Sequence, residues 1–269
     1  MKLRLYGPNI LFNGGAELGA VNSWALYTRT DSGASATLNV NTATPYSGAY
    51  DFFINIASGG LSVGDIQLYQ HSINAPKSVP VAIHFAGKGE DNRSTQVVYR
   101  LGASPWTEYY TTNASLSTAY QPFEFSFVPS SDITSGQIIF NCGSGPVAQD
   151  IWLDEIGVRN YIELPTTYEY SAAESLIRKD IRTKAGNLYS YIEPYSFRRF
   201  TLPLVHVNSA DRSLINSWWA TGSELRFVED STYPFSFSNV RIVGNSEPLT
   251  KFMPPYNGEY EGELVLETV

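Results

Sequence analysis

The sequence predicts a mainly all-β fold in two parts: a two-sheet sandwich, then a second β-rich domain carrying one short helix. Three observations lead there. Apolar and polar residues alternate in run after run, turn residues separate the runs, and no long segment of helical period occurs before residue 160. An aromatic content of 14%, with 18 Tyr and 14 Phe, also favours strands. With 43% hydrophobic residues in 269, the chain can bury a core in one large or two ordinary domains.

The elements follow in order. Ser35–Val40 alternates, Pro45–Gly48 turns, and Ala49–Ile56 forms a strand. Val79–Phe85 places Val81, Ile83 and Phe85 on one face, and Thr95–Leu101 does the same with Val97, Tyr99 and Leu101. In Gln121–Val128, Phe123, Phe125 and Phe127 face inward while Glu124 and Ser126 face out. Ile138–Cys142 puts the single cysteine in phase with Ile138 and Phe140, so Cys142 is expected to be a buried core thiol. Spacing of this kind indicates a sandwich over residues 1–160.

Leu164–Thr167 reads as a linker, with the boundary between Asn160 and Thr167, and the second domain occupies 168–269. Strands are expected at Leu188–Ile192 and Arg198–His206, with Pro203 marking an edge or a bulge. Ser209–Ala220 predicts the one helix, near 210–220. Ser209 would cap it, Asp211 suits its positive end, Leu214, Ile215 and Trp218 form the apolar face, and Gly222 takes the left-handed position after it. Glu224–Val228, Phe235–Val243 and Tyr260–Leu266 complete the domain as strands.

Composition excludes several functions. A net charge of −8 argues against nucleic acid, because phosphate binding needs clustered Lys and Arg. The basic stretches Arg178–Lys184 and Arg198–Arg199 are short. No run of about 18 apolar residues exists to span a membrane. Met1–Leu5 has a charged start with no apolar stretch behind it, so no secretory signal is expected. His71, His84 and His206 are scattered, no Gly-x-Ser-x-Gly occurs, and no glycine-rich phosphate loop precedes a helix. Asp154 and Glu155 are strand neighbours expected on opposite faces, which is wrong for a glycosidase pair. The chain is therefore not expected to be an enzyme.

Two matched ends frame the first part. It opens on Asn9-Ile-Leu-Phe-Asn-Gly-Gly-Ala-Glu17 with Trp24 soon after, and closes on Ile151-Trp-Leu-Asp-Glu-Ile-Gly-Val158. Thr44–Gly48 reads as a turn into a strand, and Leu116–Phe127 as a late strand with Tyr120 where Trp is more usual. In this order the stretches resemble the galactose-binding-like jelly roll of carbohydrate-binding modules. That resemblance implies a jelly-roll β-sandwich, a glycan ligand, and a structural calcium held by Glu17 and Asp154, with backbone carbonyls near Asn13 or Ala43 adding ligands. Gly14-Gly15 replaces the commoner spelling of the opening motif.

Glycan binding wants aromatic rings beside hydrogen-bonding side chains. Candidates are Trp106, Tyr109 and Tyr110, after a Gly-Ala-Ser-Pro turn, together with Tyr69. On a strand Trp106 and Tyr110 would share a face with Glu108, and His84 and Arg100 lie opposite the apolar faces of their own strands, where they could line a concave groove. Trp24 is expected in the core.

In the second part, Arg199–Trp219, supported by Pro254–Leu266, resembles C-terminal modules of tailed-phage tail and tail-tip proteins. This implies a virion protein of the tail tip or baseplate, assembled in the host cytoplasm. Other tail proteins would be its partners, a homo-oligomeric ring its assembly, and a cell-surface glycan its target for host attachment. The competing readings are a free-standing carbohydrate-binding protein of a polysaccharide-degrading system, a jelly roll kept purely for structure, and a glycan-active enzyme.

Overall fold

The computed structural model describes residues 2–143, 148–165, 171–182, 188–244, 246–252 and 258–269. The fold is mainly β with one α-helix among the described residues, as the alternation requires. The chain divides into two compact units, Asn9–Asn160 and Met1–Pro8 with Tyr161–Val269. The first strand, β1 (Leu3–Tyr6), thus belongs with the C-terminal residues. Among the described residues no helix is long and apolar enough to cross a membrane.

The Asn9–Asn160 unit holds β2 (Ala25–Thr28), β3 (Ser35–Asn41), β4 (Asp51–Ser58), β5 (Ile66–Ala75), β6 (Val81–Gly89) and β7 (Arg93–Leu101). After these come β8 (Glu108–Leu116), β9 (Gln121–Phe127), β10 (Ile133–Asn141) and β11 (Ile151–Leu164) as far as Asn160. They form two antiparallel sheets, ordered β3-β4-β11-β6-β9 and β2-β5-β10-β7-β8, packed as a jelly-roll sandwich.

Alternation delivers the core. Phe52, Ile54, Ile83, Phe85, Val97, Tyr99, Ile138 and Phe140 are all fully buried between the sheets. Phe85 of one sheet meets Phe140 of the other edge-to-face at 4.9 Å. Trp24 is buried as expected, tilted against Phe52 at 5.4 Å and Phe140 at 6.4 Å. Cys142 is also in the core, and burial pushes its thiol up to about 12, so it stays protonated and unreactive.

The matched ends are physically joined. Ile10 N donates to Val158 O at 2.9 Å and Ile156 N to Gly14 O at 3.0 Å. Asn9 completes the seam, accepting from Val158 N at 3.0 Å and donating through Nδ2 to Ile156 O at 3.2 Å. The opening segment thereby takes up backbone groups on the edge of β11 beyond Leu153, where its pairing with β4 ends, beside a bulge at which the β11–β6 register shifts between Asp154 and Gly157.

The second unit adds β12 (Ser171–Arg182), β13 (Leu188–Asn208), α1 (Ser209–Thr221), β14 (Leu225–Val228), β15 (Phe237–Ile242), β16 (Lys251–Phe252) and β17 (Glu259–Thr268). Its sheet runs β12-β13-β17-β15-β14-β1 and ends on the last residues of β11, with β16 paired to β17. Pro203 lies beyond Thr201, the last residue paired to β12, and the register slips between Leu204 and Val207. The proline therefore sits where one neighbour strand has ended, next to a bulge. Helix α1 buries Ile215 and Trp218 among Leu5, Phe200, Leu202, Phe227 and Leu264. Its cap is Asn208, whose side chain accepts from Asp211 N at 2.9 Å, one residue earlier than the Ser209 expected. Gly222 closes the helix in the left-handed region, φ 60, as expected. The linker residues from 166 and most of the Pro254–Leu266 start lie outside the described residues.

Candidate functional site

The outer face of the β2-β5-β10-β7-β8 sheet carries a groove of about 340 Å³. Alternation builds its floor. In β5, Ile66 and Leu68 go to the core, so Gln67, Tyr69 and His71 face outward. Antiparallel register then sets Tyr27 of β2 beside Gln67, and Gln137 of β10 beside Arg100 of β7. Trp106 leans in from the loop before β8 and is 47% exposed.

These side chains hold one another in place. Tyr69 and His71 meet edge-to-face at 4.9 Å. The Arg100 guanidinium lies over the Trp106 ring, 4.9 Å from its centroid. Arg100 Nε donates to Gln137 Oε1 at 3.2 Å, and Gln137 Nε2 lies 3.4 Å from His71 Nε2. Burial lowers the Arg100 pKa, and the charge of nearby Glu108 partly offsets this. Two half-exposed aromatic rings, a flat cation and a fixed amide form the kind of surface that takes a sugar, whose ring stacks while its hydroxyls hydrogen-bond.

Of the residues expected to bind, Tyr69, Arg100 and Trp106 come together here. Tyr109 and Tyr110 instead pack against the core. The β7–β8 register slips between Tyr99 and Arg100, which breaks the alternation that would have put Trp106, Glu108 and Tyr110 on one face. Tyr110 lies flat on Phe127 at 5.2 Å. His84 sits on β6, in the other sheet, and is buried against Gly157, where a Cβ would come within 2.1 Å of its ring. Arg100 and His84 do face away from their strands' apolar sides, but on opposite sides of the sandwich, so they share no groove. Tyr27, Gln67, His71 and Gln137 complete the site and were not singled out in sequence. The period of Ile66-Gln67-Leu68-Tyr69-Gln70-His71 carries a signal for two of them.

The calcium candidates also converge. A Cβ on Gly15 would lie 3.5 Å from both Asp154 Oδ1 and Glu17 Cγ. Asp154 accepts from Ser47 N at 2.9 Å and Glu155 N at 2.7 Å, while Glu17 accepts from Ala49 N at 3.1 Å and Tyr50 N at 3.3 Å. Both carboxylates therefore clamp one turn. The bulge in β11 overrides the expected alternation, and Glu155, at φ 52, accepts from Ser47 Oγ at 2.7 Å on the same turn. Asp154 is fully buried, and burial with the Glu155 charge pushes it up to about 6. Among the described residues no cationic side chain hydrogen-bonds this buried carboxylate. Among the described residues, however, no three Asp, Glu, His or Cys gather around a point that could hold a metal, so backbone carbonyls would have to supply the remaining oxygens.

A jelly-roll sandwich with an aromatic, donor-bearing groove on one sheet is the class that fold and site define. No protein family matches the chain in sequence, and no curated protein matches it. Solved structures do. A structure described as "CBM4 structure and function" is 24% identical over 55% of this chain and 98% of its own, with a TM-score of 0.47. The N-terminal cellulose-binding domain of Cellulomonas fimi β-1,4-glucanase C is 14% identical over 56% of this chain and 97% of its own, with a TM-score of 0.44. The enzymatically active domain of bacteriophage CBA120 tailspike protein 4 is 14% identical over 57% of this chain but only 21% of its own, also with a TM-score of 0.44.

Proposed function

We propose that the Asn9–Asn160 unit binds glycan in the groove of Tyr69, Arg100 and Trp106, without turning it over. The observation that carries this reading is the pairing of two exposed-face aromatics with a fixed Arg100–Gln137 hydrogen bond in one concavity. The full-length chain is tested on a glycan array, then by calorimetry with the best oligosaccharide. Trp106→Ala and Tyr69→Ala are each expected to weaken binding about tenfold or more, near 1.4 kcal/mol. Their side chains lie outside the core, so folding is expected to hold. Absence of binding across the array, or affinity untouched by both substitutions, would remove the reading.

A structural calcium held by Glu17 and Asp154 belongs to the same proposal. The ion would supply the positive charge that the buried Asp154 lacks and lock the Ser47–Tyr50 turn to β11. Millimolar calcium is expected to raise the melting temperature by about 4 °C or more over a chelator control. Glu17→Gln and Asp154→Asn should each abolish that rise. Equal melting curves with calcium and chelator would leave the two carboxylates as turn clamps only.

The wider setting we infer is a phage virion, in the tail tip or baseplate. There a ring of copies would dock through the C-terminal unit onto other tail proteins and multiply weak glycan contacts into host attachment. What supports it is the Arg199–Trp219 resemblance. Immunogold labelling of purified particles tests it, with label at a tail end expected. Protein found only free of particles would favour a free-standing carbohydrate-binding protein.

A further inference from the structure

Building on the glycan reading of the groove, we infer that its ligand is an acidic saccharide whose carboxylate is received by Arg100. The chain carries 26 acidic against 18 basic residues, yet the groove lining contains one Arg and no Asp or Glu. Arg100 forms no ion pair among the described residues. Glu108, opposite it in register, accepts instead from Thr111 Oγ1 at 3.0 Å. With Nε spent on Gln137 and one guanidinium face over Trp106, the Nη groups keep their hydrogens for a ligand. A planar guanidinium held this way matches a carboxylate in two parallel hydrogen bonds.

The rest of the polar chain points the same way. Because Arg100 donates to Gln137 Oε1, the Gln137 amide nitrogen must be the donor toward His71 Nε2. The Arg100–Gln137 pair therefore turns guanidinium donors to the groove, and an acceptor-rich ligand fits them better than a neutral sugar whose hydroxyls must also donate. Trp106 and Tyr69 would stack the sugar ring.

The test compares the full-length protein with oligogalacturonate, oligoglucuronate and sialyllactose against the carboxyl-reduced form of each, which keeps the stereochemistry and removes the charge. At least one acidic sugar is expected to bind about tenfold tighter than its reduced partner, with affinity falling as salt rises. Arg100→Gln should erase that difference, so that the charged and reduced sugars bind it alike. Arg100→Lys should recover only part of it, because the ammonium keeps the charge without the fork. The wild-type comparison and its salt dependence stand even if neither variant folds. Equal binding of charged and reduced sugars would overturn this inference and leave the glycan reading standing. Binding of neither would overturn both. Tetraglutamate bound as well as the sugars would show a general carboxylate receptor and overturn the saccharide assignment.

Discussion

Gly14→Ala is expected to destabilise the Asn9–Asn160 unit by about 3 kcal/mol or more, one of the largest single effects available in this chain. A Cβ at that position would lie 1.8 Å from Ile156 O and 2.9 Å from Ile156 C, both backbone atoms that cannot swing aside. The segment would have to lift off β11. Doing so breaks the Ile156 N to Gly14 O bond of 3.0 Å and strains the Asn9 contacts beside it, each hydrogen bond worth about 1 kcal/mol. Gly33→Ala provides the comparison. Nothing lies within 4 Å of its Cβ position, so only its φ of 76 resists, at about 1–2 kcal/mol. Urea denaturation of the two variants checks the claim. If Gly14→Ala proves no worse than Gly33→Ala, the seam between the two ends is not what closes the sandwich.

Phe140→Ala is expected to cost about 3–5 kcal/mol, the range for removing a fully buried phenylalanine. Its ring touches Phe85 across the sandwich at 4.9 Å and lies 6.4 Å from Trp24, so the cavity would open where both sheets meet. The loss should also reach the groove, because Ile139 and Gln137 stand on the opposite face of the same strand. Glycan affinity is expected to fall together with stability. Phe12→Ala, which removes a ring that is 54% exposed, should stay within about 0.5 kcal/mol. Similar unfolding midpoints for the two phenylalanine variants would show that the inter-sheet contact contributes little.

The groove shows why a site is harder to read than a core. Tyr69, Arg100 and Trp106 were accessible from residue type and phase, but their convergence depends on β5, β10 and β7 lying side by side, an order unrelated to their order in the chain. His84 has the same local pattern as Arg100, polar among apolar neighbours, yet its strand enters the other sheet. Nothing within five or six residues distinguishes the two. Tyr109 and Tyr110 were displaced by a single register slip, which local alternation does not reveal.

The sequence by itself determined the elements and their faces. Period-2 alternation placed Val81, Ile83, Phe85, Val97, Tyr99, Ile138, Phe140 and Cys142 in the core, because a strand has only two faces and burial rewards the apolar one. It also set the helix, its apolar stripe and its Gly222 stop, since those depend on contacts within a few residues. Tertiary structure alone decided what long-range pairing controls. It put β1 with the C-terminal residues, bulged β11 so that Asp154 and Glu155 reach one turn, and sent Arg100 and His84 to opposite surfaces. The physical reason is that strand pairing is specified by backbone hydrogen bonds common to every residue, so which strands become neighbours is settled by how the whole core packs.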